Sequence, residues 1–160
     1  MKLLEPLQVP WMVAPTLSRI RMNSQEGGAL EIRFVGFLRC EPAEDARYQT
    51  IAISFVDAHW LRRSPQHSDR AVIDEAAFDW SLVAGVLSGG ESIAEWRARC
   101  ASEWLRSGIA PNPCAYIVRN SDWNATEAVR YGLKHYLIVG DESSVEVLAS
   151  GLRWNAEEQV

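Results

Sequence analysis

Hydrophobic residues recur mostly at every second position, the spacing of a half-buried β-strand, in which successive side chains point to opposite faces of a sheet. Over 30–39, Leu30, Ile32, Phe34 and Leu38 fall on one face and Glu31, Arg33, Val35, Phe37 and Arg39 on the other, with Gly36 interrupting the run. A glycine inside a strand marks a bulge or the close approach of another segment. Residues 48–56 repeat the alternation through Ile51, Ile53 and Phe55. A β pattern at 17–22 precedes Gln25, Glu26, Gly27 and Gly28, whose turn chemistry predicts a hairpin with 30–39. Further strands are predicted at 71–74 and 115–119. Residues 133–139 and 144–150 read as a C-terminal hairpin closed by Gly140, Asp141, Glu142 and Ser143, with 152–154 continuing its second strand. The half-apolar piece from Phe78 to Leu87 fits either element type.

One segment switches clearly to the helical period. Ser92 and Glu95 form a capping box at its start, and Gly108 followed by Pro111 stops it, which predicts a helix over 93–107. Ile93, Trp96, Cys100 and Trp104 form one apolar stripe, while Glu95 and Arg99 sit four apart in the favourable order outside it. The pattern predicts an α+β fold: a mainly antiparallel β-sheet of about six to eight strands with one well-defined amphipathic helix packed on it. A chain of 160 residues fits a single globular domain. Regular β-α-β alternation is missing, and Gly27-Gly28 and Gly89-Gly90 lack the spacing of a phosphate-binding loop, so neither a nucleotide nor another cofactor is expected.

Charge narrows the partner class. The formal net charge is −5, and Arg62 with Arg63 is the nearest approach to a basic cluster, so the positive face that nucleic acid demands is missing. A negative field favours a basic protein, a cationic substrate or a neutral ligand. Cys40, Cys100 and Cys114 are an odd, widely spaced set without a C-x-x-C pair, which argues against disulfides and zinc. The N-terminal residues place Glu5 and Pro6 before any apolar run, unlike a signal peptide, and no stretch approaches the ~18 apolar residues of a membrane span. These features point to a reducing, cytoplasmic setting away from membranes.

Candidate chemistry centres on Asp57 and His59. Alternate residues of a strand share a face, and a carboxylate beside an imidazole fixes its tautomer, so the pair is the candidate acid and base of an enzyme or small-ligand site, with Arg62 available for an anion. His67, Asp69, Asp74 and Glu75 follow, but their spacing matches no metal-ligand pattern and no metal is expected. His67, Ser68 and Asp69 are adjacent and cannot reach one another as a triad. Among the thiols, Cys114 is the candidate for exposure, with His135 as a conceivable base.

Tryptophan is the compositional outlier: seven occur, at 11, 60, 80, 96, 104, 123 and 154. Trp96 and Trp104 belong to the helix stripe, whereas Trp11, Trp60, Trp80 and Trp123 stand beside polar or turn residues. Tryptophan buries a large area with few rotors to freeze, and arginine joins it among the strong interface anchors. With acidic neighbours they predict a partner-binding set of Trp60, Arg62, Asp74, Glu75, Asp79, Trp80 and Trp123. The leading expectation is a non-catalytic interaction protein, in concrete form an acidic immunity-type inhibitor that neutralises a basic toxin protein. The alternative is a small-ligand binder or enzyme at Asp57 and His59.

Overall fold

The structure, a computed structural model, describes residues 1–27, 29–38, 47–65, 72–123 and 126–158. Cys40, His67, Ser68 and Asp69 lie outside the described residues. Within them the chain forms eleven strands: β1 Lys2–Pro6, β2 Met12–Val13, β3 Arg21–Ser24, β4 Leu30–Phe37, β5 Tyr48–Val56, β6 Trp60–Pro65, β7 Phe78–Asp79, β8 Ala115–Arg119, β9 Lys134–Val139, β10 Ser143–Ala149 and β11 Gly151–Glu158. Helix α1 spans Ile93–Ser107 and a short α2 spans Thr126–Arg130. The fold is α+β and mainly antiparallel, with more strands than the alternation predicts, and they divide between two sheets instead of one.

The larger sheet has the order β6-β10-β9-β8-β1-β7, and the smaller runs β11-β5-β4-β2, with β3 also pairing with β4. Apolar residues of both sheets meet in one core: Ile32 and Phe34 of β4 and Ile51 and Ile53 of β5 oppose Tyr136 and Ile138 of β9 and Val145 and Val147 of β10. The two sheets therefore pack face to face. Gly36 proves to be a site of close approach, because a Cβ there would lie 2.7 Å from the Met12 carbonyl oxygen of β2. The sheet's other face carries a second apolar cluster of Leu4, Val83, Tyr116, Val118 and Leu137.

Several elements depart from the sequence pattern for identifiable reasons. The hairpin of β3 and β4 exists but starts at Arg21, since Leu17 and Arg19 take positive φ values of 56° and 49° that a strand cannot contain. Asp141 imposes that bend: its carboxylate accepts the backbone N–H groups of Leu17 and Ser18 at 2.8 and 2.9 Å and also the Ser18 hydroxyl. Residues 152–154 do not extend β10. The chain turns at Ser150, and β11 crosses to the other sheet to pair with β5. Val72–Asp74 form no strand; β7 comes later and pairs in parallel with β1.

Helix α1 has the predicted limits. Ser92 Oγ accepts the Glu95 N–H, Glu95 returns the bond to the Ser92 N–H, and Gly108 closes the helix in the left-handed conformation at φ 71°. The stripe is only partly covered: Trp104 is buried, Trp96 and Cys100 are half-buried, and Ile93 is exposed. Because the helix packs through so few side chains, its cap carries much of its stability. Ser92→Ala should lower the unfolding free energy by about 1 kcal/mol, read as a shifted urea midpoint at unchanged slope. No helix among the described residues is long and apolar enough to cross a membrane.

Candidate functional site

The outer face of the larger sheet, away from the shared core, carries two groups of side chains. At the β6 edge, cross-strand pairing places Trp60 opposite Leu148 and Leu148 opposite His135, with Arg62 opposite Glu146 in the next row. Just after β8, Asn120 adopts φ 55° and turns the chain back over the sheet, so that Ser121 and Trp123 land on His135. The Trp123 indole stacks on the imidazole with centroids 4.3 Å apart and planes 13° apart, and meets Trp60 edge-to-face at 5.8 Å. The Arg62 guanidinium lies 5.2 Å from the centre of the Trp123 ring. Trp60, at 47% exposure, stands at the outside of this stack.

Beneath the aromatics runs a continuous polar chain. Arg62 contacts Glu146 Oε2 through Nε at 2.7 Å and Nη2 at 2.6 Å, while Glu146 Oε1 lies 3.0 Å from His135 Nε2. The other imidazole nitrogen, Nδ1, is 2.5 Å from Ser121 Oγ, which also accepts the Trp123 N–H at 3.0 Å. Burial pushes the Glu146 carboxyl upward, but hydrogen bonds from His135 and Arg62, together with their charges, outweigh it and hold the group below its usual range. Glu146 is thus a carboxylate that faces His135 Nε2, while Ser121 Oγ bonds the opposite ring nitrogen. Each donor along this line meets an acceptor, which fixes the ring that Trp123 covers.

The order serine, imidazole, carboxylate is also that of a nucleophilic triad. Here the serine is closed off: Ser121 is buried, its oxygen already accepts the Trp123 N–H, and the indole lies over the imidazole face. The chain fixes the imidazole on which Trp123 stacks.

Asp57 and His59 fall in the connection between β5 and β6, where the chain passes from one sheet to the other, and not on a strand. Asp57 has φ 50°, and its carboxylate accepts the Ser150 hydroxyl at 3.2 Å. The exposed His59 ring instead stacks on Tyr131 at 6.0 Å. The expected acid and base are therefore engaged with different partners.

The remaining predicted residues gather at the opposite edge of the sheet. Five strand spacings separate β6 from β7, roughly 24 Å, so the predicted partner-binding set forms two patches. Asp74 caps the short turn at Glu75–Ala77 by accepting the Ala76 N–H, and Asp79 accepts the Ser81 N–H. Trp80, half-buried, donates its indole N–H to the Glu75 carbonyl at 2.9 Å and packs edge-to-face on Tyr116 at 5.8 Å. Glu75 and Trp80 line a cavity of about 500 Å³ whose floor is Tyr116 and Val139 on the sheet and whose far wall is Trp96 of α1 with residues 85–87. Cys114 belongs to this cavity and is half-buried; burial pushes its thiol up to about 11, so it is a protonated group and not the exposed thiol that the sequence predicts. His135, bound to Ser121 and Glu146, is engaged elsewhere.

No protein-family model matches this chain, and no curated protein or solved structure shows significant similarity to it. Neither Asp57 nor His59 lines the large cavity or a smaller one of about 230 Å³ beside β4 and β5. No group of three His, Cys, Asp or Glu side chains suited to a metal ion occurs among the described residues.

Sequence reasoning missed Ser121 and Glu146 altogether. Glu146 was within reach, because the predicted C-terminal hairpin, paired across its turn, sets His135 and Glu146 diagonally on one face. Ser121 carried no such signal, since its position depends on the left-handed Asn120.

Proposed function

We propose that this chain is a non-catalytic protein-interaction module that binds a more basic protein, in concrete form an immunity-type inhibitor that neutralises a toxin. The observation that carries the reading is the assembly of Trp60, Trp123 and Arg62 into one half-exposed cluster, held from below by the chain Arg62–Glu146–His135–Ser121. Tryptophan and arginine dominate binding hot spots, and side chains already locked in place lose less entropy on association. The net charge of −5 supports a basic partner by steering its approach.

The test is capture of a partner from lysate of the source organism by the tagged protein, repeated with Trp60→Ala. The expected result is one basic protein retained at low salt, weakened at raised salt and bound at least about tenfold less tightly by the variant, the loss typical of an interface anchor. Trp60 lies at the outside of the stack, so the variant should keep wild-type stability in urea. Equal retention by both proteins would reject the cluster as the binding surface.

A further inference from the structure

The cavity beneath Trp80 has walls that are built and fixed. Residues 84–87 are tied to α1 by three bonds: Trp96 donates its indole N–H to the Gly85 carbonyl at 2.8 Å, and Arg99, itself held by the Glu91 carboxylate at 2.8 Å, reaches the Ala84 carbonyl at 2.6 Å and the Val86 carbonyl at 2.9 Å. Gly85 allows this segment to close down, since a Cβ there would lie 2.6 Å from Asn112 Cβ and 2.9 Å from its backbone nitrogen. On the other side, the Trp80 indole N–H is held by the Glu75 carbonyl. At the floor the Tyr116 hydroxyl donates to Asn112 Oδ1 at 2.5 Å. A volume of about 500 Å³ is within the range of small-ligand sites.

What these bonds leave unused determines what the cavity selects. Both indole N–H groups and the phenol hydroxyl are engaged with the protein's own oxygens, so the aromatic residues offer π surface instead of donors. Among the described residues that line the cavity Glu75 is the one charged side chain, and none is Lys, Arg or His. Among the described residues no cation pairs with the Glu75 carboxylate. Its charge acts toward the interior: after burial and the neighbouring Cys114, it is a further influence that pushes the Tyr116 hydroxyl up and so disfavours its ionised form. An anion meets no counter-charge among the described lining residues, and a carbohydrate would leave most hydroxyls unpaired. A cation on an apolar stem meets a complementary surface at every contact, because tryptophan and tyrosine rings attract cations and a carboxylate waits at the lip.

We infer that this cavity is a receptor for an arginine side chain presented by the basic partner, with the guanidinium against Trp80 and Trp96 and its charge answered by Glu75. The inference rests on the reading that the partner is a basic protein. Arginine fits better than lysine because its planar, weakly hydrated fork stacks on aromatic rings and pairs bidentately with a single carboxylate. The two patches then act together: the Trp60 cluster anchors the partner at one edge of the sheet, and the cavity receives a cationic side chain near the other.

The test is titration of the full chain with a blocked five-residue peptide, arginine flanked by alanines, against its citrulline counterpart, which keeps the shape and removes the charge. The readout is the two-dimensional amide NMR spectrum, with the Trp80 and Trp96 indole resonances assigned from single Trp→Phe variants. Saturable shifts of both indole signals are expected with arginine and not with citrulline, and Glu75→Gln should weaken the binding at least about fivefold while leaving distant resonances unmoved. A lysine peptide binding as tightly as the arginine one would overturn the choice of arginine. Equal response to citrulline, shifts confined to Trp60 and Trp123, or no saturable response would overturn the site itself. Trp60→Ala should leave the peptide titration unchanged, so failure of the cavity and failure of the edge cluster give different results.

Discussion

Trp11→Ala should lower the unfolding free energy by about 3–5 kcal/mol, the largest loss expected from any single truncation in this chain. Trp11 is fully buried and heads the fully buried side chains by volume. It packs edge-to-face on Phe34 at 5.3 Å and on Trp154 at 6.1 Å, so one ring braces β4, β11 and the segment entering β2. Truncation removes those contacts and leaves a cavity between two sheets whose hydrogen-bonded strands cannot collapse into it. Since a domain of ordinary stability has about 5–15 kcal/mol in total, the variant should sit close to the folding threshold at room temperature. Trp11→Phe separates packing from the polar atom: no acceptor reaches Trp11 Nε1 among the described residues, so phenylalanine keeps most of the volume and removes an unpaired buried donor. Urea denaturation should place the Phe variant well above the Ala variant. A loss below about 1 kcal/mol for Trp11→Ala would show that the sheets close over the gap.

The same residue shows where sequence reading stops. Trp11 stands between Pro10 and Met12 and looks like a surface anchor by its neighbours, yet Val9, Trp11 and Val13 alternate and are all buried. Period two was present, but over too few residues to stand out beside the long runs of β4 and β5. Local signals were legible wherever they were strong: the capping box and Gly108 delimit α1, alternation marks β4 and β5, and the Pro111-Asn112-Pro113 segment leads into β8. Contacts between elements were not, because alternation says which face is buried and not against what. The crossing of β11 to the second sheet depends on the tight turn at Ser150, and the parallel pairing of β7 with β1 joins residues more than seventy positions apart. The functional patches follow the same rule. Trp60 and Arg62 are neighbours in sequence and could be read together, and so could Glu75 and Trp80. Trp123 reaches Trp60 only through the turn at Asn120, and Trp96 faces Trp80 only because Arg99 ties the intervening segment to the helix.

Acidification should weaken the fold through Glu146, and Glu146→Ala should lower stability by about 1–3 kcal/mol at neutral pH. The truncation removes the acceptor of a buried imidazole N–H and the partner of Arg62 together. His135 then carries most of the loss, being buried at 3% exposure, whereas Arg62, more than half exposed, regains water. That difference keeps the expected effect below that of breaking a fully buried ion pair, about 3–5 kcal/mol. The pH dependence follows from the direction of the shift. Burial raises the Glu146 carboxyl, but the hydrogen bonds of His135 and Arg62 prevail, so its folded pKa lies below the unfolded value of 4.5. The unfolded state therefore binds the proton more readily, and the contribution is fully present above about pH 4.5 and lost as pH falls through the folded pKa. Asp141 acts in the same sense: burial pushes its carboxyl up, the Ser18 hydroxyl and the N–H groups of Ser18 and Leu17 outweigh that, and its ordinary value of 3.8 is lowered. Urea midpoints measured from pH 7 to pH 3 should accordingly fall below about pH 4.5 in the wild type, and Glu146→Gln should flatten the upper part of that fall and leave the Asp141 part. The near-ultraviolet circular dichroism of Trp123, stacked on the imidazole that Glu146 orients, should weaken in the same variant, isolated by comparison with Trp123→Phe. An unchanged signal together with an unchanged pH profile would mean that the chain from Arg62 to Ser121 does not hold the indole in place.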